Sequence, residues 1–486
     1  MHINIRELEP RAVWSCFANL NAVPRPSKKE EKVIRFMLAY GRSLGLETFK
    51  DSVGNVIIRK PATAGMEDRK AVVLQAHLDM VHQKNGDTDF DFEQQGIAMY
   101  ADGDWVKAKG TTLGADNGMG VAAIMAILAS DSIAHPPLEA LFTVDEETGM
   151  TGAKGLEPGL LKGEILLNLD TEEDDEIDIG CAGGIDVTAS GTYKEVPPRK
   201  DAIAYTLRVK GLQGGHSGID IHRGLGNANK IMNRLLSLAA RAHGLSISNI
   251  EGGGLRNAIP RESVAGVTIP GGRKAAFEKD FNEWAEDIAK ELEETEPQLT
   301  IQFLPAGMPD SVMAGEDRDK LLTVLSEAHN GVYSMSSKIE GLVESSNNIA
   351  RVSVGNGKIG IGCLVRSSEE EVKAGLTALL RAGFESAGYG VTFSGEYPGW
   401  NPDPDSEILG VMLSRYRALF NEEPKVVACH AGLECGILGA SYPGLDMISF
   451  GPTIRGAHSP DERVQVSSVG KFWDLLCDLL KHIPPK

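Results

Sequence analysis

The chain has 486 residues, 49 of them Lys or Arg and 68 Asp or Glu, which leaves a formal net charge of −19. A surface this acidic repels phosphate backbones and excludes nucleic-acid binding as the main activity. With 42% hydrophobic and 24% charged residues the composition excludes general disorder. At about 150 residues per domain the length allows roughly three units or two large ones.

Residues 1–7 contain no apolar signal core, and the longest apolar helix stretch, 121–129, falls far short of the roughly 20 residues a membrane span needs. No membrane partner is expected. Six cysteines (Cys16, Cys181, Cys363, Cys429, Cys435 and Cys477) lack CxxC spacing and read as buried reduced thiols, which favours a cytoplasmic protein.

Residues 71–76 form a short apolar run suited to a buried strand, 118–129 read as a packed helix, and 138–144 and 165–169 as further buried strands. This alternation predicts an α/β layer with a largely parallel sheet and helices on both faces. The polar, proline-containing stretch 192–200 reads as a connector. Beyond it, the alternating segments 205–209 and 358–362 predict half-buried strands, and 227–242, 275–294 and 369–387 predict long helices. After a second connector at 395–404 the first pattern returns, with a strand at 446–450 and a closing helix at 469–480. The expected organisation is a split α/β domain, residues 1–188 and 397–486, interrupted by an inserted α+β domain at 189–396.

Acidic and imidazole residues fall at the ends of the predicted strands. His77 and Asp79 follow the first one, and residues two apart on an extended chain point to the same face. Glu146 and Glu147 follow the strand ending at 144, and Asp170 the strand ending at 169. Asp116 lies in Gly114-Ala115-Asp116-Asn117-Gly118, the turn that opens the helix. Open α/β sheets bind ligands just beyond the carboxyl ends of their strands. Carboxylates gathered there repel one another unless protonated or neutralised, and a divalent cation resolves the repulsion. Mixed imidazole and carboxylate ligands suit Zn²⁺, with Mn²⁺ or Co²⁺ as substitutes. A second histidine is then expected, and His458 in Gly456-Ala457-His458-Ser459-Pro460 is the candidate. Singly, each residue has a plainer reading: Asp116 caps its helix, Glu146 and Glu147 are solvated loop charges, and Asp170 opens the acidic run 170–176.

Ala76-His77-Leu78-Asp79-Met80, Asp145-Glu146-Glu147-Thr148-Gly149 and Ala457-His458-Ser459-Pro460 resemble the signature of the co-catalytic zinc aminoacylase and carboxypeptidase family. Four more segments extend the likeness, over almost the whole chain, to the bacterial dipeptidases of that family. They are Thr111-Thr112-Leu113-Gly114-Ala115-Asp116-Asn117-Gly118, Gly214-Gly215-His216-Ser217-Gly218, Arg256-Asn257-Ala258-Ile259-Pro260 and His430-Ala431-Gly432-Leu433-Glu434-Cys435-Gly436.

The resemblance implies a split zinc-peptidase domain with an inserted lid and two zinc ions per chain. His77 and Asp170 would hold one ion, Glu147 and His458 the other, with Asp116 bridging. Asp79 would orient His77. Glu146 would be the general base for a hydroxide bridged between the ions. His216 would arrive on the lid as a donor to the oxyanion, and Asn257, Arg366, Gly432 and Glu434 are candidate substrate-binding residues. The implied activity is hydrolysis of dipeptides with free termini, including Xaa-His dipeptides such as β-alanyl-histidine. An N-acyl-amino-acid deacylase or a tripeptidase is the alternative within the family, and a non-catalytic metal- or peptide-binding module the alternative outside it. The insertion is longer than the lids of dimeric relatives, which suggests internal doubling and leaves monomer and homodimer both open.

Overall fold

A computed structural model describes residues 4–486; Met1, His2 and Ile3, part of the stretch read as lacking a signal core, lie outside the described residues. The chain forms two compact units. One comprises Met1–Gly180, Trp400–Ala428 and Leu433–Lys486, the other Cys181–Gly399 with Cys429–Gly432. The second unit thus begins earlier than the connector at 192–200, because the strand Gly183–Thr192 belongs to its sheet.

The first unit is built on an eight-stranded sheet in the order Glu47–Lys50, Val56–Lys60, Leu138–Thr143, Val72–His77, Ile165–Asn168, Asp446–Ser449, Glu176–Cys181, Lys425–Cys429. Its centre is parallel: Val72–His77 pairs with Leu138–Thr143 and with Ile165–Asn168, which pairs with Asp446–Ser449. Its flanks are antiparallel, as where Val56–Lys60 meets Leu138–Thr143. The first three of these parallel strands are buried along their whole length, which is why they read as unbroken apolar runs rather than alternating ones. The register sets His77 opposite Thr143 and Gln75 opposite Asn168, so the chain leaves all three strands at one edge.

The helix Ala115–Ala129 starts earlier than the sequence predicts, and Asp116 and Asn117 depart from helical dihedrals within it. Asp116 sits in an opened first turn, and its carboxylate faces the imidazoles of His77 and His458. From Asn117 to Leu128 every residue is buried, as an all-round apolar helix must be. Met119 and Ala122 pack with Trp14 and Phe17 of the helix Arg11–Asn21. A small antiparallel sheet joins Ile454–Arg455, Arg463–Gln465, Trp105–Ala108 and Met99–Asp102, and the loop between its first two strands carries His458.

The second unit holds a nine-stranded antiparallel sheet. Its eight main strands run in the order Thr300–Pro305, Ala202–Lys210, Ser263–Pro270, Ser246–Gly253, Val343–Gly355, Lys358–Ser367, Gly183–Thr192, Gly390–Tyr397. This order is two copies of one motif. Numbered within each copy by chain position, the first four strands lie as 4-1-3-2 and the last four as 2-3-1-4, the same order reversed. In both copies a helix lies between the first two strands and another between the last two: Ala228–His243 and Lys274–Glu291 in one, Gly315–Glu327 and Glu370–Ser386 in the other. The first copy is threaded into the second, and they join where Ile250–Gly253 pairs with Arg351–Val354. The expectation of doubling is met.

Of the cysteines expected to be buried, Cys16, Cys429 and Cys477 are only half-buried. Among the described residues no helix is long and apolar enough to cross a membrane.

Candidate metal centre

The sheet edge at His77 gathers the predicted ligands. His77 ends its strand almost fully buried, with Nε2 3.0 Å from Asp116 Oδ1 and 3.4 Å from Asp170 Oδ1. The other oxygen of Asp116 lies 3.2 Å from Nε2 of His458, which is 3.0 Å from Glu147 Oε2. One carboxylate thus belongs to two triads, His77–Asp116–Asp170 and Asp116–Glu147–His458. A cation held about 2.1 Å from tetrahedral ligands sets them about 3.4 Å apart, which these spacings match. The donor set fits a pair of divalent cations on a second count: Glu147 Oε1 is buried and takes no hydrogen bond.

Asp79 lies behind this arrangement, wholly buried, with Oδ1 3.4 Å from His77 Nδ1. Its carboxylate also accepts the backbone N–H groups of Glu146 at 3.0 Å and Glu147 at 3.3 Å, and the Ser27 hydroxyl at 2.8 Å. One side chain therefore fixes both the first histidine and the turn carrying the two glutamates. That turn starts from Asp145 at φ 54°, and His458 stands at φ 64°. Left-handed backbone at residues other than glycine gathers at functional sites. Glu146 opens the turn Glu146–Gly149 and lies with His77 and Glu147 in a further close group; among the described residues no hydrogen bond reaches its carboxylate.

The electrostatics follow from crowding. Loss of solvent raises Glu146 well above the usual carboxylate range, with the imidazole of His77 opposing and Asp170, Glu434 and Glu147 adding to the rise. Burial also works against ionisation of Asp116, but the imidazoles of His458 and His77 outweigh it and hold this carboxyl below its ordinary value. His458, hydrogen-bonded to Asp116 and Glu147, is drawn up to about 11. The two imidazoles carry the positive charge that the carboxylates demand, the charge that cations would supply.

The remaining predicted residues fall elsewhere. Glu434 is buried in the first unit, its Oε2 accepting from Gln75 Nε2 and the Thr143 hydroxyl, both at 2.6 Å. In the second unit, Nδ1 of His216 accepts the backbone N–H groups of Gly218 at 3.2 Å and Ile219 at 3.1 Å, which fixes the ring proton on Nε2. Arg366 is buried, gives Nη1 to the Tyr397 hydroxyl at 2.8 Å, and has Nη2 3.5 Å from that Nε2. Two N–H donors thus stand side by side. Asn257 is exposed, and its carbonyl accepts the Ser217 N–H at 2.7 Å. Gly432 is half-buried and follows Ala431, whose carbonyl accepts the Ala182 N–H at 3.0 Å.

Residues 73–482 match the family model for peptidase family M20/M25/M40. The chain belongs to this family. The resemblance read from the motifs holds at that level, and M20 peptidases are metal-dependent enzymes. The chain is 43% identical over 482 residues to cytosol non-specific dipeptidase of Escherichia coli (strain K12), covering 99% of each. Its fold is similar to that of aminoacylhistidine dipeptidase from Vibrio alginolyticus at 44% identity and a TM-score of 0.93, covering 100% of this chain and 99% of that one. An M20 family metallo-carboxypeptidase from Sulfolobus solfataricus, 12% identical with a TM-score of 0.52 over 97% and 98% of the two chains, shares the fold.

Sequence reasoning did not find Arg25, Ser27, Asn117 or Glu462, which surround the predicted ligands. Asn117, within the quoted Gly-rich turn, donates to Asp170. The other three bind largely to backbone atoms or to Asp79 and left no pattern to read.

Proposed function

We propose that the chain is a two-metal dipeptidase acting on dipeptides with free termini, Xaa-His dipeptides such as β-alanyl-histidine among them. The observation that carries the reading is Asp116, one carboxylate shared by two triads. The dipeptidases to which the chain is 43% and 44% identical along its whole length support it.

In this reading His77 and Asp170 hold one ion, Glu147 and His458 the other, and Asp116 both; the ions are zinc, with manganese or cobalt able to substitute. Bound there, they would supply Lewis acidity, polarising the scissile carbonyl and acidifying water. Asp79 keeps His77 and the glutamate turn in place. Glu146, whose carboxylate no hydrogen bond engages among the described residues, takes a proton from the attacking water at its carboxylate oxygen and returns it to the leaving amine nitrogen.

His216 presents Nε2–H as a donor to the developing oxyanion, and His216→Ala should lower kcat about 10²- to 10³-fold with metal content intact. An unchanged kcat would place the donor elsewhere. Arg366 offers a fork to the free carboxylate of the substrate, Asn257 and Gly432 are further contacts, and Glu434 acts indirectly through Gln75 and Thr143. We place the enzyme in the cytoplasm, with a homodimer permitted but not needed for the His216–Arg366 pair, which a single chain completes.

The test is a panel of unblocked dipeptides, tripeptides and N-acetyl amino acids, run before and after chelation and again with zinc restored. The reading expects dipeptide hydrolysis that chelation abolishes and zinc recovers. Preferential tripeptide or N-acetyl turnover would assign the enzyme to the alternative substrate class, and chelator-insensitive hydrolysis would remove the metals from the chemistry.

A further inference from the structure

The four residues Leu113, Gly114, Ala115 and Asp116 turn their backbone N–H groups to a single side chain. Glu462, 2% exposed, accepts Leu113 N–H at 2.6 Å and Gly114 N–H at 2.9 Å on one oxygen. Its other oxygen accepts Ala115 N–H at 2.7 Å and Asp116 N–H at 3.3 Å. Each oxygen thus accepts two N–H groups, and all four amides of the loop converge on one carboxyl group. The carbonyls of the same loop go to other side chains: Leu113 O accepts from Asn21 Nδ2 at 2.9 Å, and Gly114 O from Arg25 Nη2.

Arg25 is itself 1% exposed. Its Nη1 donates to Leu78 O at 3.1 Å and Asp79 O at 3.0 Å, the residues that follow His77, while Nη2 also reaches Asn21 Oδ1 at 3.1 Å. A single guanidinium therefore ties the chain after His77 to the chain before Asp116. This accounts for the glycines of the turn. A Cβ at Gly114 would stand 2.5 Å, and at Gly118 2.6 Å, from Arg25 Nη2, and Gly114 adopts φ 69° besides. Neither Arg25 nor Glu462 lies in the ligand triads, yet each is a buried ionisable side chain engaged with backbone atoms beside them. Such placement costs desolvation that a merely structural contact could avoid with neutral groups.

We propose that Arg25 and Glu462 are positioning residues that grip the 113–116 loop from opposite sides and so set where Asp116 stands between His77 and His458. The inference rests on the reading of Asp116 as the shared ligand. Outer groups that orient ligands typically contribute about 10- to 100-fold in metal affinity. Glu462→Gln replaces one acceptor oxygen with an amide that opposes two of the four N–H groups, and Arg25→Lys keeps the charge but cannot span the two chain segments.

The experiment titrates Zn²⁺ into metal-stripped full-length wild type, Glu462→Gln, Arg25→Lys and Asp116→Asn against a chromophoric chelator, with amide exchange followed over residues 113–116. Both clamp variants should bind Zn²⁺ about 10- to 100-fold more weakly and exchange faster at those four amides, with kcat lowered more than KM is raised at saturating metal. Asp116→Asn should lose more affinity than either. Wild-type affinity in Glu462→Gln and Arg25→Lys, with Asp116→Asn impaired, overturns the clamp alone. Wild-type affinity in Asp116→Asn overturns the shared-ligand reading, and the clamp with it. Should Glu462→Gln not fold, Glu462→Asp takes its place: it keeps the charge but is one methylene too short to reach all four amides. A loss of affinity supports the clamp and wild-type affinity overturns it.

Discussion

Glu146 and Glu147 are adjacent in sequence and opposite in surroundings. Glu147 gives one oxygen to His458 at 3.0 Å and keeps the other buried without a bond, whereas no hydrogen bond reaches the Glu146 carboxylate among the described residues. Adjacent carboxylates pushed into different environments are how one site obtains both a ligand and a base. Glu146→Ala should therefore retain its metal and lose about 10²- to 10⁴-fold in kcat, while His458→Ala should show a reduced metal-to-protein ratio. Near-normal turnover in the first, or an unchanged ratio in the second, would remove the assignment concerned. At this scale the sequence is readable where chemistry is carried by residue types at strand ends, as with His77, Asp79 and Asp170. It is silent on Arg25 and Glu462, because backbone carbonyls and amides are present at every position and announce no partner.

The strands and helices around the site were legible in the same measure as their burial was uniform. Fully buried parallel strands such as Val72–His77, and the all-apolar helix Ala115–Ala129, leave continuous apolar runs. The opened turn at Asp116 was not legible, since its cause is the grip of distant side chains on its backbone. Beneath the site a chain of buried side-chain hydrogen bonds crosses the sheet, from Glu434 to Gln75, Asn168, Ser449, Thr171 and Asp178. Burial pushes Asp178 up to about 7, against the pull of the Thr171 hydroxyl. The folded value lies above the ordinary value near 3.9 of an unfolded chain, so this group's contribution is complete below about pH 4 and is lost as pH rises through 7. Asp178→Asn cannot titrate and keeps an acceptor for Thr171. Its Tm relative to wild type should accordingly rise by a few degrees between pH 5 and pH 8, and a difference constant across that range would show that Asp178 is already ionised at pH 5 in the folded protein.

At the scale of the whole molecule, the second unit is a doubled sheet. One copy is threaded between the first strand and first helix of the other, so the copies are nested rather than tandem, and only the strand order exposes them. The halves contribute jointly: His216 follows the first strand of one copy, and Arg366 lies in the third strand of the other. In the proposed function the first unit would hold two cations on five residues, from His77 near its start to His458 near its end, which the clustering of their ligand atoms in two triads supports. The direct measurement is a calorimetric titration of Zn²⁺ into the metal-stripped full-length protein. The account requires a stoichiometry of two ions per chain, with dipeptide hydrolysis returning as the sites fill; a stoichiometry of one or none would contradict it.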